Sequence, residues 1–273
     1  MNRVAFMGID GSGKTTLMRA VQRVVGDRAS LLFSPDFHDI PGFPGAAESR
    51  SLTEFSRLVD AQGDPALKLA SLYLRMCAFG EAESFLIATE HRPTMCIERH
   101  PLIDAITYLQ VYIHAVKKSG VRPEDSTAVM EVLRGTHPDV LHHVDLAVER
   151  RNGRLGITDT AVEAVAGYCM GFAAFSAEDF ARSLSMDFQT TLPDRVLYLD
   201  VPPSVAFDRV VARGKALEAH ESLENLTRLD RLARSKFTDF ERLGVPTILL
   251  PVGTEPEAEV VRTVIRHLDG AAA

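Results

Sequence analysis

The stretch that most limits what this chain can fold into is Gly8-Ile9-Asp10-Gly11-Ser12-Gly13-Lys14-Thr15-Thr16, which fits the pattern G-x-x-x-x-G-K-[ST]. The apolar run Val4-Ala5-Phe6-Met7 precedes it and reads as a buried parallel strand. Leu17, Val21, Val24 and Val25 follow at helical spacing. Strand, glycine loop and helix in that order curl the backbone so that its N–H groups converge at the start of the helix. That end carries partial positive charge and attracts phosphate. Gly8, Asp10, Gly11, Ser12, Gly13, Lys14, Thr15 and Thr16 are therefore candidates to surround a nucleoside triphosphate, with ATP the expected one. Lys14 reaches β- and γ-phosphates in such a loop, and the Thr15 hydroxyl ligates Mg²⁺.

Composition narrows the partners. The 273 residues are 46% hydrophobic, enough for one large α/β domain or a domain carrying an insertion. The net charge of -7 argues against a nucleic-acid binder, which is basic overall. Cys77, Cys96 and Cys169 lack metal-type spacing and read as buried free thiols. No apolar run is long enough to span a membrane, so no membrane partner is expected. The first residues lead straight into a strand without a leader, and a reducing cytoplasm is expected.

Further along, Leu31-Leu32-Phe33 reads as a second strand. Asp36 follows where a parallel sheet opens at its carboxyl ends, so it either faces a phosphoryl acceptor or is a turn residue after Pro35. Residues 38–50 read as an irregular loop, 51–62 as a short amphipathic helix and 65–88 as one long apolar helix. On that helix Lys68, Ser71 and Arg75 share a face, and Arg75 either snorkels to solvent or lines a wet cleft. A third strand, Thr94–Ile97, ends in Glu98-Arg99. Arg99 can clamp a phosphate, and Glu98 can hold Mg²⁺-bound water or orient an acceptor hydroxyl.

Helix 101–118 carries Asp104, Tyr108 and Tyr112 at i, i+4 and i+8, a face that either lines an acceptor pocket or packs. Helical patterns over 128–133, 161–175 and 177–184 follow, and Glu149 to Arg154 reads as a solvated turn. His137, His142 and His143 have no metal-ligand constellation. Val196–Val201 is a fourth strand, and Thr247–Pro251 is a fifth, followed by a closing helix over 258–268. Between them Arg209, Arg213 and Lys215 mark residues 209–225 either as a basic lid or as a salt-bridged helix pair.

The glycine loop, the Glu98-Arg99 pair and the segment Leu197-Tyr198-Leu199-Asp200-Val201-Pro202 through Arg209 and Arg213-Gly214-Lys215 together resemble the thymidylate kinase and deoxynucleoside kinase superfamily. Ser222-Leu223-Glu224-Asn225-Leu226 is closer to the deoxynucleoside kinases. The resemblance implies that Asp10 faces a sugar hydroxyl of the acceptor and that the lid arginines supply the catalytic cation. It also suggests a homodimer.

The expected fold is α/β, a P-loop three-layer fold with a five-stranded parallel sheet. Its core is 1–118 and 191–273, with a helical insertion at 119–190. The expected activity is a kinase of the thymidylate kinase type, passing the γ-phosphoryl of Mg²⁺-ATP to a nucleoside monophosphate. Lys14, Asp36, Glu98, Arg99, Arg209 and Arg213 are the catalytic candidates, and Arg213 also contacts ATP. Asp10, Asp36, Arg75, Arg99, Asp104 and Tyr108 are the acceptor candidates, and Thr15 and Glu98 the metal candidates. The alternatives are a deoxynucleoside kinase, another small-metabolite kinase, and a non-catalytic ATP-binding regulatory protein.

Overall fold

The computed structural model describes residues 1–214, 221–253 and 255–269. The chain forms two compact units, a sheet unit of residues 1–33, 86–103 and 192–273 and a helical unit of residues 34–85 and 104–191. The helical unit thus begins earlier in the chain than the 119–190 segment marked out from the sequence. Among the described residues no helix is long and apolar enough to cross a membrane.

Five parallel strands make the sheet unit, β1 (Asn2–Met7), β2 (Ala29–Phe33), β3 (Thr94–Glu98), β4 (Arg195–Asp200) and β5 (Thr247–Pro251), in the order β2-β3-β1-β4-β5. Strands covered on both faces read as short apolar runs without alternation, which is why all five are visible in the sequence. The register sets Phe33 and Phe6 level with Glu98, so these strands finish on one line.

Helix α1 (Lys14–Val25) buries Leu17, Met18, Val21 and Val25. Val24, read from spacing as part of that stripe, is 63% exposed, because the buried sector centres on Met18 and Val21. Each such side chain contributes about 1.5–3 kcal/mol relative to exposure.

Helix α2 (Ala46–Gln62) starts the helical unit five residues before the expected Ser51 and takes up part of the segment read as loop. It ends on Gly63 in the left-handed conformation. Asp64 then caps α3 (Pro65–Met76) by accepting from the N–H groups of Ala66 and Leu67, each at 2.9 Å. The long helix expected over 65–88 is two, because the chain breaks at Cys77 and resumes as α4 (Phe79–Glu90). Gly80 explains the break. Its N–H donates to the Phe188 carbonyl at 3.0 Å, and a Cβ there would lie 2.5 Å from the Gln189 carbonyl oxygen. Close docking of backbone on backbone displaces the helix path.

Next come α5 (Pro101–Asp104), a π-turn over Ala105–Leu109, and α6 (Gln110–Ser119). They are followed by α7 (Thr127–Thr136), α8 (Pro138–Leu155), α9 (Val162–Met170) and α10 (Ala177–Asp187). Helix α2 packs on α3 and α8, and α3 also packs on α9. Leu52, Phe55, Val59, Leu67, Leu74, Val144, Val148 and Val165 lie in this core.

The stretch from Glu149 to Arg154, read as a solvated turn, is instead the interior of α8. Arg151 is 2% exposed. Its guanidinium lies 4.0 Å from the ring centroid of Tyr168 and 5.3 Å from that of Tyr73, and it donates to the Tyr73 hydroxyl and to Asn152. Tyr73 and Tyr168 in turn donate to Asp187, also buried. Arg150 meets Glu48 and Glu81, and Arg154 meets Glu81. The charges are paired, so the polar run stays helical.

All three cysteines are buried and free, as expected, and burial pushes the thiols of Cys77 and Cys96 up to about 12. Helices α11 (Pro203–Ala212), α12 (Leu223–Ser235), α13 (Phe237–Arg242) and α14 (Glu257–Asp269) complete the sheet unit.

Candidate functional site

In the sheet unit, β1 delivers the chain into the loop at Gly8 and α1 takes it up at Lys14. Gly11 has φ +81°, and any side-chain carbon there would fall on the Ala206 carbonyl. Gly13, with φ +92°, has nothing within 4 Å of such a carbon, so it is the backbone angle that requires glycine. Gly13 is also the N-cap of α1 and offers no side-chain cap, and no acidic residue stands in the first turn. The N-cap residue therefore supplies no side-chain acceptor to the first N–H groups of this helix, an arrangement that suits an anion. Ser12 is 2% exposed, and its hydroxyl has no hydrogen-bond partner among the described residues.

Lys14 is 6% exposed and donates to the carbonyls of Gly8 at 2.9 Å and Ile9 at 3.1 Å, with Asp10 4.0 Å away. Thr15 donates through Oγ1 to Oε2 of Glu98 at 2.7 Å, and Thr16 beside it is exposed. The strand register explains this meeting, since β3 ends level with Phe6 just before the loop. Arg99 follows with φ +56°, a left-handed conformation that costs a non-glycine residue about 1 kcal/mol. It pairs with Asp10 at 2.6 Å.

Arg209, on the last turn of α11, reaches the Ser12 carbonyl at 3.5 Å. Arg213 is half exposed and lies 3.7 Å from Glu221. Of the span read as either a lid or a helix pair, 209–225, residues 215–220 lie outside the described residues. Arg209 belongs to α11 and Asn225 to α12, because both ends pack as helix. Lys215 lies outside the described residues.

The helical unit holds the other candidates. Asp36 pairs with Arg75 at 2.8 Å and accepts from Thr53 Oγ1 at 3.1 Å. Arg75 is thus neither snorkelling nor idle. The shared face of Lys68, Ser71 and Arg75 is real. Lys68 donates to Ser56 and Asp60, the Ser71 hydroxyl lies 3.4 Å from that of Ser56, and Arg75 donates to Asp36. Asp104, Tyr108 and Tyr112 are all half-buried, but the π-turn inserted between them interrupts the i, i+4 spacing from which one face was inferred.

Sequence reading missed Thr53. The available signal was the run of hydroxyls at Ser49, Thr53 and Ser56, i, i+4 and i+7 on α2.

Two features of the loop bear on an ion as partner. Thr15 Oγ1 and Glu98 Oε2 form a pair of hard oxygens, one neutral and one anionic, of the kind Mg²⁺ takes with phosphate and water filling its other positions. Among the described residues no group of three His, Cys, Asp or Glu gathers as a metal cage.

The sequence matches no family model and no curated protein. One similar solved structure is that of deoxyadenosine kinase from M. mycoides with products dcmp and a flexible dcdp bound. It is 14% identical, with a TM-score of 0.48, covering 98% of this chain and 99% of that one.

Proposed function

We propose that this chain is an ATP-dependent phosphotransferase whose acceptor is a small nucleotide or nucleoside. The observation that carries the reading is the uncapped N-terminus of α1, with Lys14 inside the loop and the Thr15–Glu98 pair beside it. A glycine turn that bound nothing would cap its helix and would gain little from burying a lysine.

The chain's own groups do most of the chemistry by position and charge. The loop amides and the Ser12 hydroxyl receive phosphate oxygens. Lys14 exchanges the Gly8 and Ile9 carbonyls for the β- and γ-phosphates. Arg209 places a second cation beside the loop, and Arg213 a third when Glu221 releases it. Thr15 and Glu98 would hold Mg²⁺, which would offset charge on the bridging oxygens. In the sheet unit Asp10, paired with Arg99, is the group to orient the acceptor; in the helical unit Asp36 with Arg75, and Asp104 and Tyr108, are the acceptor contacts to test. An acceptor oxygen bonds to the γ-phosphorus as the bond to the ADP oxygen breaks. A hydroxyl acceptor gives its proton to Asp36, whereas a phosphate acceptor needs no base.

The first acceptor to test is a pyrimidine nucleoside monophosphate. A second reading, an unphosphorylated nucleoside, is favoured by one observation. Arg75 and Arg99 each already face a carboxylate and offer an incoming phosphate less net positive charge. ADP formation with dTMP, thymidine and other nucleosides decides between them. ATP binding without acceptor-dependent turnover in the whole panel would leave the regulatory alternative in place and overturn the kinase.

Glu98→Gln is expected to lower kcat by about 10²-fold and raise the Mg²⁺ concentration for half-maximal rate. An unchanged Mg²⁺ titration would remove Glu98 from the metal.

A further inference from the structure

We infer that Thr53 is the positioning residue for Asp36, setting the plane of the carboxylate that meets the acceptor. The inference rests on the kinase reading above and adds to it a residue outside the loop and the strand ends.

The hydroxyl of a helical threonine ordinarily turns back on its own helix. Among the described residues, Thr136 and Thr227 do so. Thr136 donates to the Val132 carbonyl at 2.8 Å, and Thr227 to the Leu223 carbonyl at 2.8 Å. Thr53 spends its one proton instead on Oδ1 of Asp36, at 3.1 Å. Arg75 donates to the same oxygen at 2.8 Å. Two donors from two helices, α2 and α3, therefore converge on Oδ1 and leave Oδ2 to accept from an incoming hydroxyl. The Asp36 side chain is 47% exposed while Arg75 is 15% exposed, so the carboxylate is open and its supports are not.

An arginine alone cannot set that plane. Its long side chain follows the carboxylate as it rotates, whereas the β-branched threonine is stiff at its first torsion and hangs from a helix. The helix is itself tied to the segment it steadies. One turn earlier, Ser49 accepts the His38 N–H at 3.1 Å and lies 3.2 Å from its ring Nδ1. One turn later, Ser56 accepts from Lys68 of α3 and lies 3.4 Å from the Ser71 hydroxyl. Phe37, between Asp36 and His38, is fully buried. Asp36 thus sits on a segment pinned after it, with Thr53 as the short strut to the carboxylate.

The test is steady-state kinetics with the best acceptor from the panel, for wild type, Thr53→Val, Thr53→Ser, Asp36→Asn and the Thr53→Val/Asp36→Asn double variant. Valine keeps the shape of threonine and removes the proton. The expected result for Thr53→Val is a kcat about tenfold lower, with KM for ATP and for acceptor within about twofold of wild type. Serine restores most of the rate. In the Asp36→Asn background the valine change has little further effect, because the group it positions has gone.

A Thr53→Val rate equal to wild type, no rescue by serine, or an equal loss in the Asp36→Asn background would each overturn the inference while leaving the kinase reading intact. Wild-type protein that turns over no acceptor would overturn both. If the valine variant does not fold, Thr53→Ala is read by the same comparison.

Discussion

Lys14→Ala lowers kcat by about 10³-fold or more while the protein stays folded. The ammonium is buried against the Gly8 and Ile9 carbonyls, which a phosphate can replace as the stronger acceptor. Its charge is worth most where water is excluded and negative charge grows on the transferred group. Alanine also relieves the cost of burying a charge, so the thermal midpoint moves little. Arginine does not replace it, since a planar fork cannot enter a loop closed around a point charge. Turnover measured beside circular dichroism checks this. A folded alanine variant of near-normal rate would refute the phosphate-loop assignment.

Arg151→Met destabilises the helical unit by about 3 kcal/mol at neutral pH, read by denaturant unfolding. Methionine can fill the space between Tyr73 and Tyr168 but cannot balance Asp187. Burial raises the Asp187 carboxyl above its ordinary value, while bonds from Tyr73 and Tyr168 and the charges of Arg151 and Arg154 pull it back. A carboxyl raised in the folded chain binds its proton more tightly there than in the unfolded chain. The stability linked to it is complete below the unfolded value, near ~4, and is lost as pH rises through the folded value. Removing Arg151 raises that value further, so the deficit grows with pH and is smaller at about pH 4 than at neutrality. An equal deficit at both would show that the charge of Arg151 has no part in the effect.

These two residues also show what could be read in the sequence. Lys14 lies in a motif whose chemistry fixes its neighbours, and short apolar strands flank it, so the sheet unit was legible almost throughout. Arg151 lies in a charged run with no apolar period. Nothing local distinguishes it from a solvated turn, because its partners Tyr73 and Tyr168, and through them Asp187, come from three other helices. The break before Gly80 was hidden for the same reason, since it depends on the carbonyls of Phe188 and Gln189. Asp36 was singled out from its place after β2, but its partner Thr53 was not, because a run of hydroxyls along one helix face is a weak signal beside a motif. Glu98 could be singled out because it ends a short apolar strand, which is a local pattern, whereas helix packing leaves no such local mark.

The pairing of β1 has a consequence for biosynthesis. One flank of β1 joins β3 through Val4 and Cys96, but the other joins β4 through Val4 and Arg195. During translation the amino-terminal strand therefore spends most of the chain's emergence with bare amides along one side. That open flank can recruit a stray strand from another nascent polypeptide. Truncations that stop short of β4 should accordingly be chaperone clients that precipitate, however well their helices form.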